Sequence, residues 1–115
     1  KINIEELSTA SSVEFVKAVA SQRSVKSDEE LMEIDKAASL SADIHLSVMQ
    51  TTRPGMYERE VAAAIHQAAL ASGGNLAYPI ILTVNGEILH NHYQGNLLKE
   101  GQLALNASGI ETAGG

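Results

Sequence analysis

Cysteine is absent from the 115-residue sequence, which excludes disulfides and thiolate metal sites and leaves only carboxylates and imidazoles as metal ligands. Cationic residues are scarce. Eight Lys and Arg stand against 14 Asp and Glu, a formal net charge of −6, so no basic surface is available for a phosphate backbone and nucleic acid is not an expected partner. No uninterrupted apolar run approaches the ~20 residues that span a bilayer, and the first residues lack a basic segment followed by an apolar one. These absences point to a soluble, cytoplasmic protein with no membrane partner. A nucleophile-elbow serine, a phosphate-cradling glycine loop, a cysteine nucleophile and an internal repeat are missing as well.

What is present suits one small domain, with 44% hydrophobic residues to form a core. A domain of this length buries only roughly 60 to 70% of the surface its unfolded chain exposes, so each element matters. The chain begins without Met and ends on Thr112-Ala113-Gly114-Gly115, which reads as an excerpt of a longer protein.

Residues 1–12 are polar and Ser/Thr-rich and read as a linker, followed by a short helix carrying Val13, Val16 and Val19 with Ala20 alongside. Ser27-Asp28-Glu29-Glu30 predicts a helix start, because Ser27 can accept from the Glu30 N–H while the Glu30 carboxylate reaches back to the cap. Leu31, Ile34, Ala38, Ala42, His45 and Met49 then define one face of a helix running to about Gln50. Thr51-Thr52-Arg53-Pro54-Gly55 stops it. Tyr57, Val61, Ala64, Ile65 and Ala68 form the face of a second helix ending at Gly73-Gly74, and the short connection predicts antiparallel packing of the two.

After Gly74 the pattern becomes β-like. Residues 79–84 read as a strand closed by an Asn85-Gly86 turn, 87–90 as a returning strand and 102–106 as a third. Helices first and strands second favour an α+β fold with helices covering one face of an antiparallel sheet.

Among chemistry-bearing residues, His45 and His66 lie on the expected helices and read as packed or surface side chains. His90 and His92 stand at a strand end among Asn91, Tyr93 and Asn96, and would share a face if the strand persists. Glu29, Glu30, Glu33 and Asp35 read as a solvated helix face, and Glu58 and Glu60 as favourable first-turn acids. Glu111, after Gly109, could reach a site built at a strand end, or could simply be a solvated residue. On the residues alone, the reading stops at an acidic α+β domain with one candidate histidine cluster.

Four blocks carry a resemblance: residues 23–30 before the long helix; Arg53-Pro54-Gly55-Met56 with Glu58 and Glu60; residues 85–90, ending at His90; and residues 97–105, closed by Gly109 and Glu111. In order and spacing, over roughly residues 22 to 111, they resemble the catalytic domain of pita-bread metallopeptidases of the aminopeptidase P and Xaa-Pro dipeptidase type. The resemblance implies the first half of a pita-bread, creatinase/aminopeptidase-like fold in residues 23–115, with a linker and short helix in residues 1–22. It implies a parent protein that hydrolyses the bond before proline in peptides with proline at the second position. It also implies two divalent metal ions (manganese, cobalt or zinc) that activate a water in the complete parent, with none held by this chain.

By the same resemblance, His90 matches the family histidine near the reacting carbonyl and is the expected catalytic and substrate-binding residue. His92, a second candidate substrate contact, stands where the family varies. Ala107 occupies the position of the first metal-binding Asp, and a methyl group cannot bind a hard cation. Two readings follow from this. The chain is an inactive fragment of a metal-dependent Xaa-Pro aminopeptidase or dipeptidase, or it belongs to a non-catalytic pita-bread protein that binds peptides or proteins in its cleft. Strand edges left open in such a half predict association, with a homo-oligomer as the expected state.

Overall fold

A computed structural model describes residues 12–114. The chain divides into two compact units, Lys1–Leu31 and Met32–Gly115. Of the segment read as a linker, only Ser12 falls within the described residues. No helix among the described residues is long and apolar enough to cross a membrane.

In the first unit, helix α1 (Val13–Ser24) opens on Ser12, whose Oγ accepts from the Phe15 N–H at 3.2 Å. None of its residues is buried, so the Val13, Val16 and Val19 spacing builds a helix but no core. Helix α2 (Asp28–Thr51) begins with the expected reciprocal cap. The Ser27 N–H donates to Glu30 Oε2 at 2.7 Å and the Glu30 N–H donates to Ser27 Oγ at 3.3 Å. Beside them, the backbone and the Ser27 hydroxyl hold the Glu29 carboxyl below its ordinary value.

In the second unit, α2 turns a different face to the core from the one expected. Ala37, Leu40, Ser41, Ile44 and Val48 are buried or half-buried, whereas Ile34, Ala38, Ala42 and Met49 are exposed and only His45 of the expected stripe in this unit is half-buried. The stripe is displaced by one residue, a rotation of about 100°. The helix carries apolar side chains on more than one side, with Ile34, Leu46 and Met49 remaining outside, so periodicity alone could not choose between them.

Helix α3 (Glu58–Ala71) buries Glu58, Val61, Ala62, Ile65 and Ala69. Ala64, placed on the inner face by the sequence reading, is exposed. Ile65 is fully buried, worth about 1.5–3 kcal/mol relative to exposure. The close backbone approaches of α3 are to strands β1 (Asn75–Leu76) and β2 (Ile81–Thr83), and its Val61, Ala62, Ile65 and Ala69 share one buried core with Ile44 of α2.

The strands form two antiparallel pairs. Strand β2 pairs with β3 (Leu105–Ala107), with Ile81 opposite Ala107 and Thr83 opposite Leu105. Strand β1 pairs with β4 (Ile110–Glu111), with Asn75 opposite Glu111. Gly74 admits the Glu111 carbonyl oxygen into the space a Cβ would fill, which makes glycine necessary there. The core gathers Ile44, Val61, Ile65, Ile80, Leu82, Leu98 and Ile110 between these layers. The result is the expected α+β arrangement of helices against antiparallel strands, with four strands where the sequence reading placed three, each shorter than the stretches it named.

Residues 87–90 form no strand; they belong to an irregular loop. The Ile88 N–H bonds the Asn85 carbonyl at 3.0 Å in a turn, and Ile88 and Leu89 are 50% and 83% exposed, with no apolar surface to hold them in a ladder. Asn85 and Asn91 bind a strand side chain instead, a local competition that polar side chains commonly win in loops.

Candidate functional site

The loop from Val84 to Asn96, which carries both candidate histidines, is held by a polar framework built mainly from buried side chains. Glu58, the first residue of α3, is fully buried. Its Oε1 accepts from the Val84 N–H at 2.8 Å and from Asn96 Nδ2 at 3.1 Å, and its Oε2 accepts from the Asn96 N–H at 3.0 Å. One carboxylate therefore binds both ends of the loop. The burial of its charge is offset by three N–H donors and by its place in the first turn, where the helix dipole favours an anion.

The middle of the loop is tied to β2. Buried Thr83 accepts at Oγ1 from Asn91 Nδ2 and from the Asn85 N–H, both at 3.0 Å. Asn91 Oδ1 in turn accepts from the Tyr93 N–H at 2.9 Å, and Gln94 Nε2 donates to the Ile80 carbonyl at 3.0 Å. The returning chain runs antiparallel to the start of α3. Leu98 exchanges bonds with Gly55 and Met56 at 2.8 Å, and the Asn96 and Gln94 carbonyls accept from the Glu58 and Arg59 N–H groups at 3.0 Å.

His90 sits next to buried Asn91 with φ of 54°, the one non-glycine residue in left-handed backbone among those described. Histidine enters that region more readily than most residues, yet the conformation still costs about 1 kcal/mol or more. The side chain is exposed, and so is His92. Without a strand, the expectation that the two imidazoles share a strand face fails, because residues 90–92 do not alternate about a sheet plane. The arrangement presents His90 to solvent from a loop whose two ends and whose neighbouring Asn91 are hydrogen-bonded to α3 and β2.

The other sequence candidates lie elsewhere. His66 is exposed on α3. Half-buried His45 places Nδ1 2.7 Å from the Ser41 carbonyl and lines a cleft of about 320 Å³ with Val48, Leu82, Leu98 and Asn106. Glu111 is exposed on β4. Ala107 is a half-buried ladder residue of β3.

Among the described residues no three His, Asp or Glu side chains cluster closely enough to hold a metal ion. The donor set around Ala107 does not fit a pair of divalent cations. Its neighbours Asn106 and Ser108 offer only a neutral amide and a hydroxyl, where a hard cation calls for carboxylates.

Reading from sequence missed Glu58 and Thr83 as parts of this site, and named Asn96 only as a polar neighbour of the two histidines. Glu58 carried a signal, in that it follows Pro54-Gly55 and opens a helix, but first-turn acids usually remain in water.

Known proteins resemble this chain in sequence and in fold. The family model for Metallopeptidase family M24 matches residues 32–115. The Xaa-Pro aminopeptidase of Escherichia coli strain K12 is 30% identical over 110 residues, covering 91% of this chain and 24% of that protein. Zinc-substituted Escherichia coli aminopeptidase P in complex with product superposes with a TM-score of 0.69 at 31% identity, over 73% of this chain and 20% of the other. An X-Pro aminopeptidase from Thermotoga maritima shares the fold, with a TM-score of 0.75 at 23% identity, over 84% and 28% of the two chains.

The chain belongs to metallopeptidase family M24 and carries part of its pita-bread fold. It spans about a quarter of the length of the curated relative it matches.

Proposed function

We propose that this chain is part of a metal-dependent Xaa-Pro aminopeptidase or dipeptidase, that the whole protein cleaves the bond before proline, and that the chain alone does not hydrolyse peptides. The observation that carries the reading is exposed His90 on a clamped loop, in a chain similar to Escherichia coli Xaa-Pro aminopeptidase. His90 contacts the peptide at the reacting carbonyl, where a donor from a fixed imidazole stabilises developing negative charge. His92, two residues away and equally open to solvent, is a secondary substrate contact.

Divalent metal supplies the activated water in the family at large, and manganese, cobalt and zinc are the candidates for the whole protein; none of the described residues supplies a ligand set. Cytoplasmic location is part of the same proposal, as is association through the open edges of the two-stranded sheets, giving a homo-oligomer.

The test is hydrolysis of Xaa-Pro peptides by the full-length parent with each metal added. His90→Ala is expected to lower kcat/KM about 100-fold. Absence of turnover before and after Ala107→Asp contradicts the hydrolytic reading.

Ala107 favours a second reading, a pita-bread protein that binds peptides without cutting them. Saturable binding of a Xaa-Pro peptide to the parent, with no hydrolysis and no dependence on metal, would select it.

A further inference from the structure

We propose that Glu58 is a positioning residue for His90: its buried carboxylate closes the base of the Val84–Asn96 loop and so sets where the imidazole stands. The kinetic part of this inference rests on the peptidase reading above; the structural part does not.

The geometry is specific to a carboxylate. Two acceptor oxygens meet three donors, from Val84 N–H, Asn96 N–H and Asn96 Nδ2. An amide at this position has one oxygen and one NH2 group. In either orientation a glutamine sets an N–H donor against a backbone N–H, at Val84 or at Asn96, so one of the two backbone bonds to this side chain is lost. An aspartate keeps the charge but falls one methylene short.

The two ends clamped by Glu58 lie 12 residues apart in sequence, and His90 sits midway between them. The Thr83–Asn91 bond reaches only the residue beside His90. It fixes that point relative to β2, whereas Glu58 fixes the loop relative to α3. Both constraints are needed to hold a left-handed residue in one place, because such a backbone persists only where its surroundings over-determine it.

Two measurements test the proposal. In the 115-residue chain, amide hydrogen exchange is compared between wild type and Glu58→Gln. The expected result is at least about tenfold faster exchange at Val84 and Asn96, the two amides bonded to the carboxylate, with Ile65–Ala69 and Ile81–Thr83 unchanged. An even acceleration across the chain, or no change in the loop, overturns the proposal. If Glu58→Gln does not fold, Asn96→Ala, which removes one donor and leaves both backbone bonds, is expected to give a smaller acceleration confined to the same loop; no local change overturns it equally.

In the full-length parent, Glu58→Gln, His90→Ala and the double variant form a cycle on a Xaa-Pro peptide. If Glu58 acts through His90, the single variant lowers kcat about tenfold or more and the double variant is no slower than His90→Ala. Multiplying effects overturn the positioning role. A wild-type parent with no turnover contradicts the peptidase reading instead, and the exchange result then decides on the clamp by itself.

Discussion

Two polar regions of the second unit lie only a strand apart and are finished differently. Around the His90 loop, buried Glu58, Thr83 and Asn91 all have hydrogen-bond partners. Along the β3–β4 segment, Asn106 Oδ1, Ser108 Oγ and Thr112 Oγ1 are buried without a partner among the described residues. Polar atoms taken from water without replacement bonds lose roughly 1–3 kcal/mol each, whereas a paired set is close to neutral or better. The loop therefore completes itself within this chain, and the β3–β4 segment carries polar groups left unmatched among the described residues. The contrast follows the chemistry at each place: His90 is presented by the completed region, and Ala107 stands in the unmatched one.

The contrast can be broken most forcefully at Glu58. Glu58→Ala deletes the acceptor for three donors and is expected to lower stability by about 2–4 kcal/mol in denaturant unfolding; a loss under about 0.5 kcal/mol would mean the buried bonds are dispensable. Gly74→Ala comes next, since the new methyl meets the Glu111 carbonyl. A loss of about 1–3 kcal/mol is expected by the same measurement.

Thr83→Val keeps the shape and removes the hydroxyl that serves Asn85 and Asn91, for an expected loss of about 1–2 kcal/mol. The matched change on the other side, Thr112→Val, removes an unpartnered hydroxyl. It is expected to be neutral or to stabilise by up to about 1 kcal/mol, and equal losses at the two threonines would erase the distinction between the regions.

The smallest effect lies in the first unit. The Glu29 carboxyl is held below its ordinary value by the backbone and Ser27, so its contribution to the α2 cap is present above the ordinary carboxylate range. That contribution is lost as pH falls through the lowered value. Because Glu29 is fully exposed, the change is expected to appear as local fraying in the backbone shifts of Asp28–Glu30, without unfolding.

Features set by nearest neighbours were legible in advance. The Ser27–Glu30 cap depends on four consecutive residues and formed as read. Ile81–Thr83 fell inside the 79–84 stretch that already read as a strand, and Leu105–Ala107 overlaps the end of the 102–106 stretch. The family was legible because its blocks preserve order and spacing along the chain, and that resemblance directed attention to His90.

Features set by distant residues were not legible. Which side of α2 faces inward depends on where β2 and β3 lie, and Ile34 and Ile44 were equally eligible. Residues 87–90 have strand-like composition, but Thr83 captures Asn85 and Asn91 and turns the chain instead. Glu58 is joined to its partners across 26 and 38 positions, a separation over which no local pattern speaks. The site's framework was thus hidden in the same long-range contacts that make it rigid.

The most direct measurement is amide hydrogen exchange of the wild-type 115-residue chain at Val84 and Asn96. Bonds to a buried carboxylate should protect both amides to nearly the level of Ile65 and Ala69 in α3, far beyond the exposed Glu87 and Leu89 between them. If Val84 and Asn96 instead exchange as fast as Glu87 and Leu89, the loop is not clamped and His90 is not held in place.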